Sequence, residues 1–326
     1  MAKRTSIEGQ MSLFPELEVP SEPQAAESSW PAWPGGMWVG TSSWSFPGWA
    51  GIVYDRKYSD SKLAQTGLRA YSQHPLLRAV GIDRSFYAPV TLEEYRQYAE
   101  QVPDDFRFLV KAPERLTTAR FSRHPRYGAL AGEPNPEFLS LPLALQEWIE
   151  PARQGLGRKL GCLLLQFPPT SAHVVGGPSG FAVALHRLLE QLPAGLPLAV
   201  EIRNRELFGQ AYLQVLERLG VSHALLVHPS MPPIAQQFAA LGAQPLTVIR
   251  WMLGMPDYEQ AVSRYRPFDR LVDEDLGSRS AIIDIWRRAL EQKAQIITVV
   301  NNKAEGCSPK SIERLAEQFW DPEVPF

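Results

Sequence analysis

Glu201 and Arg203 end the apolar run LPLAVEIRN, a carboxylate and a guanidinium two residues apart. Side chains alternate across a strand, so if Val200 and Ile202 face one way, Glu201 and Arg203 share the other side. The same alternation sets Lys111 opposite Phe108 and Val110 in FRFLVKAP. On the remaining apolar runs it selects Ser42, Asp83, Gln166, His228, Arg250 and Asn302. Lys111, Arg203 and Arg250 are cations, and a planar guanidinium suits phosphate or carboxylate. Asn301, Asn302 and Lys303 precede a helix expected to start at Ser308, and such an N-terminus attracts anions. This set favours an anionic ligand, with Trp44, Tyr87, Ser42 and Gln166 completing the expected binding residues. Glu201 is the expected general base, and His228 or Asp83 its acid partner or the ligands of a single divalent ion. No cofactor is required by the sequence, and a two- or three-metal site would need more His and carboxylate ligands than these. Lys111, if desolvated, offers a different chemistry, a Schiff base with a sugar aldehyde. The plainer alternative for Glu201 is a structural ion pair, with Arg203 or Lys111 as its partner.

Eight apolar runs must position these residues. They are MWVGTSSW, the run from Leu76 to Tyr87 that ends in GIDRSFY, FRFLVKAP, LGCLLLQFPP, LPLAVEIRN, SHALLVHP, LTVIRWMLG and QIITVVNNKAEG. Nearly all are separated by helical patterns. Ser59 to Ser72 reads as a helix, and Thr91 with Glu94 spells a capping box. Ser308 and Pro309 read as N-cap and first turn of the last helix. Continuous apolar runs alternating with helices imply a parallel sheet covered by helices, and eight imply closure. The expected fold is an α/β TIM-like (β/α)8 barrel over 37–326 with a disordered tail over 1–36. Its site belongs at the C-terminal ends of the strands. The first turn, GTSSW, is not a dinucleotide fingerprint, which weighs against a doubly wound fold.

In order along the chain, GTSSWSFPGW, SFY at 85–87, FLVKA at 108–112, LLQFPP at 164–169, VEIRN at 200–204, IRW at 249–251 and VNNKAEG at 300–306 resemble the YecE-like family. This family is also called domain of unknown function 72. The resemblance implies a TIM-like barrel and no particular activity. Many members carry Glu and Asn in the second strand, where this chain has Gly81 and Asp83, so a role for that glutamate does not transfer.

With 326 residues, 44% hydrophobic, and a net charge of -2, the chain suits a large core and argues against coating nucleic acid by bulk charge. No stretch has membrane-spanning length and no signal peptide is recognised, so a cytoplasmic protein with no membrane partner is expected. Two segments nonetheless suggest DNA. Gln10, Met11, Ser12, Leu13 and Phe14 spell QMSLF, which resembles the peptide that bacterial proteins insert into the sliding clamp. The stretch after the third run carries Arg115, Arg120, Arg123 and Arg126 with Phe121 and Tyr127 interleaved, cations for phosphates and rings for bases. Three functions follow. The first is a DNA-processing hydrolase or lyase, associated with repair and tethered to the clamp. The others are an enzyme on a small phosphorylated or carboxylated metabolite and a non-catalytic clamp and DNA adaptor.

Overall fold

The structure is a computed structural model that describes residues 22–27, 29–242, 244, 246–255 and 257–321. The pentapeptide Gln10–Phe14 lies outside the described residues. The described chain forms eight parallel strands: β1 (Met37–Thr41), β2 (Ala79–Ile82), β3 (Arg107–Lys111), β4 (Leu160–Gln166), β5 (Leu198–Glu201), β6 (Ser222–Val227), β7 (Leu246–Trp251) and β8 (Gln295–Val300). Pairing runs in sequence order, and β8 returns to β1 with Met37 opposite Ile296 and Thr41 opposite Val300, closing the barrel. All eight expected strands form, at the expected places.

Strand parity divides the core in two. Ala79, Leu109, Cys162, Leu164, Ala199, Ala224, Val248, Ile297 and Val299 make one cluster, which fills the lumen. Their neighbours Val80, Phe108, Val110, Leu163, Leu165, Val200, Leu225, Ile249, Ile296 and Val300 belong to the larger cluster under the helices. Each large apolar side chain so buried contributes roughly 1.5–3 kcal/mol. Continuing the inward alternation by two residues brings it to Lys111, Gln166, Glu201 and Arg250, and on β2 by four, past Gly81, to Asp83, where the apolar lumen ends and the polar rim begins.

The β1–β2 seam is the tightest. A Cβ on Gly40 would lie 1.7 Å from the Ala79 carbonyl oxygen, so only glycine lets these strands approach. The Tyr71 hydroxyl bridges the same seam, accepting from the Thr41 N–H at 3.0 Å and donating to the Ala79 carbonyl at 2.8 Å.

The helix Asp60–Tyr71 is capped by Ser59, whose side chain accepts from Lys62 N–H, and Thr91 and Glu94 form the full capping box of the helix Leu92–Glu100. Two local readings are corrected. The run ending GIDRSFY leaves the strand at Ile82, and Arg84–Tyr87 coils into a helical turn. The last helix spans Ser308–Phe319 with Cys307 as N-cap, so Ser308 is its first residue. The reason is Asn302, whose Oδ1 accepts from the Ser308 N–H and hydroxyl, both at 2.8 Å, and does the capping from a distance.

The barrel's packing also extends ahead of Met37. Trp33 is buried, donates from its indole N–H to the Leu76 carbonyl at 3.0 Å, and stacks on Trp320 with ring centroids 4.5 Å apart. An indole this large, flanked by Trp286 and Phe319, finds enough apolar surface to order the segment around it. Among the described residues no helix is long and apolar enough to cross a membrane.

Candidate functional site

At the C-terminal mouth Glu201 is 0% exposed and held by two arginines from different strands. Arg203 donates from Nε to Oε1 at 2.8 Å, and Arg250 donates from Nη1 to Oε2 at 2.5 Å. Arg250 Nη2 stands 3.8 Å from Asp83 Oδ1, linking β7 to the end of β2 across the lumen. Burial alone would raise the Glu201 pKa, but the charges and hydrogen bonds of Arg250 and Arg203 outweigh it and hold the carboxyl at about 2. A carboxylate so stabilised gains little by taking a proton at neutral pH. The assignment of Glu201 as general base is therefore corrected. Its place between the guanidiniums makes it the charge balance of the mouth.

Lys111 does not pair with Glu201. Its side chain is 8% exposed, and Nζ lies 3.8 Å from the centroid of the Phe86 ring. The adjoining Ser85 holds this geometry: its Oγ lies 2.8 Å from the Ile82 carbonyl and 2.6 Å from the Lys111 carbonyl, tying the end of β2 to the end of β3. Burial lowers the Lys111 pKa, Asp83 opposes, and Arg250 and Arg203 lower it further, bringing the amine to about 8. At pH 7.4 roughly a fifth of such an amine is unprotonated. Unprotonated lysine is a nucleophile toward carbonyl carbon.

His228 contributes a donor. Its Nδ1 accepts from the Ser230 backbone N–H at 3.1 Å, so in the neutral ring the proton belongs to Nε2. Burial and Arg203 lower its pKa to about 4, which keeps it neutral near pH 7 and makes it a poor general acid. Ser42 accepts from Asn301 Nδ2 at 2.7 Å, joining β1 to β8 at the rim. On β8 the lumen positions run Ile297, Val299, Asn301, so Asn301 and not Asn302 continues the inward face. Asn302 fills the N-terminus of the last helix, and the expected anion site there is occupied by its own side chain. Lys303 is half-buried with Nζ 4.8 Å from the Tyr258 ring centroid, and its pKa is lowered by burial. Among the described residues Asp83 Oδ1, Gln166 Oε1, Arg250 Nε and Asn302 Nδ2 are buried with no hydrogen-bond partner. Three belong to the inward rim, where unsatisfied polar atoms invite a ligand.

Other expectations fare differently. Trp44 is buried, donates from its indole to the Leu63 carbonyl at 2.9 Å and packs edge-on against Tyr98, so it is core and not a ligand platform. Tyr87, by contrast, is exposed at the mouth. In the basic stretch Arg115 bonds Glu137 at 2.5 Å and Glu147 at 2.6 Å, and Arg126 bonds Glu114 at 2.5 Å. Arg120 donates to the Gly132 carbonyl at 2.7 Å, and Arg123 is exposed. Acidic residues distant in sequence thus neutralise much of a patch that looked unopposed. Among the described residues no three His, Cys, Asp or Glu side chains come together as a metal-binding set. Of the two expected ligands of a divalent ion, His228 turns Nδ1 to Ser230 and Asp83 has Arg250 3.8 Å from its Oδ1. The sequence reading missed Phe86, Ser85 and Tyr258. The first two stood in the SFY motif, and nothing in the sequence marked Tyr258.

A closed parallel barrel with a cation-rich polar mouth over an apolar lumen defines the class of this protein. The family model described as protein of unknown function DUF72 matches residues 38–324, and the chain belongs to that family. It is 26% identical over 200 residues to the UPF0759 protein YunF of Bacillus subtilis (strain 168), an alignment covering 60% of this chain and 62% of that protein. The match thus spans less than two thirds of that relative's length. Similar crystal structures include a DUF72 family protein from Thermotoga maritima MSB8, with TM-score 0.57, 20% identity, 87% of this chain and 97% of that one. Another, from Enterococcus faecalis V583, gives TM-score 0.56 and 18% identity over 89% and 96% of the two chains. At these identities the likeness to solved structures is one of fold.

Proposed function

We propose that the barrel is an enzyme in which Lys111 attacks the carbonyl carbon of a small anionic aldehyde or ketone. One observation carries this reading: the Lys111 amine is buried on the Phe86 ring, in no ion pair among the described residues, with its pKa brought to about 8. The neutral amine forms the new C–N bond as the carbonyl π pair moves to oxygen. Transfer of the ammonium proton to that oxygen gives a neutral carbinolamine; a further proton, delivered from solvent to the hydroxyl, lets it leave as water as the nitrogen lone pair forms the C=N bond, and a protonated imine remains. Such an imine draws electrons from adjacent bonds and favours lyase chemistry. Asp83, whose Oδ1 has no hydrogen-bond partner, is the carboxylate best suited to relay the proton. The substrate's phosphate or carboxylate falls to Arg203, which spends only Nε on Glu201, to Lys303, and to His228 Nε2–H.

The test is reductive trapping. The full chain is treated with sodium borohydride in the presence of glyoxylate or glyceraldehyde 3-phosphate, and adducts are mapped by peptide mass spectrometry. One adduct at Lys111, absent from Lys111→Ala, supports the proposal. No adduct, or equal labelling of surface lysines, overturns it.

A second reading, a repair-associated DNA lyase tethered to a sliding clamp, rests on the sequence of Gln10–Phe14. It shares the amine chemistry, because an abasic deoxyribose is itself an aldehyde flanked by phosphates. An oligonucleotide with an abasic site in the same trapping assay, together with calorimetric binding of a sliding clamp to wild type and to the Leu13→Ala, Phe14→Ala variant, tests it. Clamp binding without any adduct would leave the adaptor reading, and phosphodiester hydrolysis with Glu201 as base draws no support from a carboxylate held by two arginines.

A further inference from the structure

Two aromatic rings stand largely exposed at the mouth. Tyr87 is 69% exposed and Tyr258 53% exposed, and both rank among the large exposed apolar side chains of the described residues. Each is linked to a rim cation. Tyr87 meets Phe86 edge-on, centroids 5.1 Å apart at 88°, and Phe86 carries Lys111 on its face. Tyr258 lies against Lys303 Nζ. One phenol follows β2 and the other β7, strands separated only by β1 and β8, and Tyr87 lies within electrostatic reach of Tyr258, Asp83 and Arg126. Of the rim cations Arg203, which acts electrostatically on Lys303, leaves both Nη groups without a partner among the described residues, and Gln166 Oε1 is buried and unpartnered. Rings exposed above cations suit a ligand with a flat, polarisable face at one end and a negative charge at the other.

We infer that Tyr87 and Tyr258 form a stacking subsite for the planar base of a nucleotide unit whose phosphate is held by Lys303 and Arg203. This rests on the mouth being the substrate site named above, but not on imine formation at Lys111. The unit can come from a free nucleotide or from a nucleic-acid strand, since both present a base beside a phosphate. Stacking adds affinity that a sugar phosphate lacks, and tyrosine supplies it with either phenol or phenyl.

Calorimetry with AMP, ribose 5-phosphate and a five-residue thymidine oligonucleotide tests this on the full chain. AMP or the oligonucleotide should bind about tenfold or more tightly than ribose 5-phosphate. Tyr87→Ala and Tyr258→Ala should each remove most of that advantage, while Tyr87→Phe and Tyr258→Phe keep it. Preference for AMP identifies a free nucleotide, and preference for the oligonucleotide a strand. Equal affinity for all three ligands, no binding of either base-bearing ligand, or alanine variants that bind as wild type would overturn it. The same titrations in Lys111→Ala separate the two proposals. Tyrosine-dependent binding without any trapped adduct retains the subsite and removes the lysine chemistry, and an adduct without base preference does the reverse.

Discussion

Replacing Glu201 by Gln removes the charge that two guanidiniums share, of which Arg250 is 1% exposed and keeps only the longer contact to Asp83. Leaving a buried partner uncompensated costs about 3–5 kcal/mol. The depression of the Glu201 carboxyl from 4.5 to about 2 by the arginines, working against burial, is of the same order, about 3 kcal/mol. Because the folded pKa is the lower one, this stabilisation is present above the unfolded value and is lost as pH falls from about 4.5 toward 2. Glutamine keeps one acceptor, so the lower end of the range applies, about 3 kcal/mol, or a fall in Tm of about 6–12 °C for a domain of this size. The substitution also removes a charge that supports protonation of Lys111 while leaving Arg250 and Arg203 in place, so the amine pKa must fall further. Differential scanning calorimetry and the pH dependence of borohydride trapping read the two effects. A Tm within 2 °C of wild type, or a trapping midpoint that stays put or rises, would refute the reasoning.

Three further outcomes follow from the same geometry. Lys111→Met should abolish trapping and raise Tm at pH 7, because a buried amine costs stability when it is charged. For the wild type the sign is explicit: the folded amine releases its proton near 8 and the unfolded one near 10.5, so stability should rise with pH across that window, and this rise should vanish in Lys111→Met. Gly40→Ala should destabilise by more than about 3 kcal/mol or prevent soluble expression, because its methyl would meet the Ala79 carbonyl. Tyr71→Phe leaves the same carbonyl and the Thr41 N–H short of a partner and should lower stability by about 1–3 kcal/mol in chemical denaturation.

The barrel was legible because strands buried on both faces announce themselves as unbroken apolar runs, and eight of them leave little choice but closure. Parity was legible for the same reason: it placed Asp83, Lys111, Gln166, Glu201 and Arg250 on the inner rim, where they are found. On β8 the selection of Asn302 departed from parity, which from Ile297 and Val299 leads to Asn301. Asn302 lies beyond the last β8 residue, Val300, and turned outward to cap a helix, leaving the inner place to Asn301. Partner choice was not legible at all. Nothing in the local sequence told that Arg250 from β7 would take Glu201 away from general-base chemistry, or that Glu137 and Glu147 would engage Arg115. Nor did it tell that Trp44 would donate to Leu63 and become core. Such long-range pairings depend on register and loop course, which residue type does not specify.

The central claim is an amine at Lys111 that titrates far below ordinary lysine. Reductive methylation with 13C-formaldehyde labels every accessible lysine, and NMR then follows each methyl resonance with pH. One resonance, missing from Lys111→Ala, should titrate near 8, well below the ordinary lysine value of about 10.4. If the Lys111 resonance titrates with the surface lysines, the amine is an ordinary cation and the proposed chemistry falls.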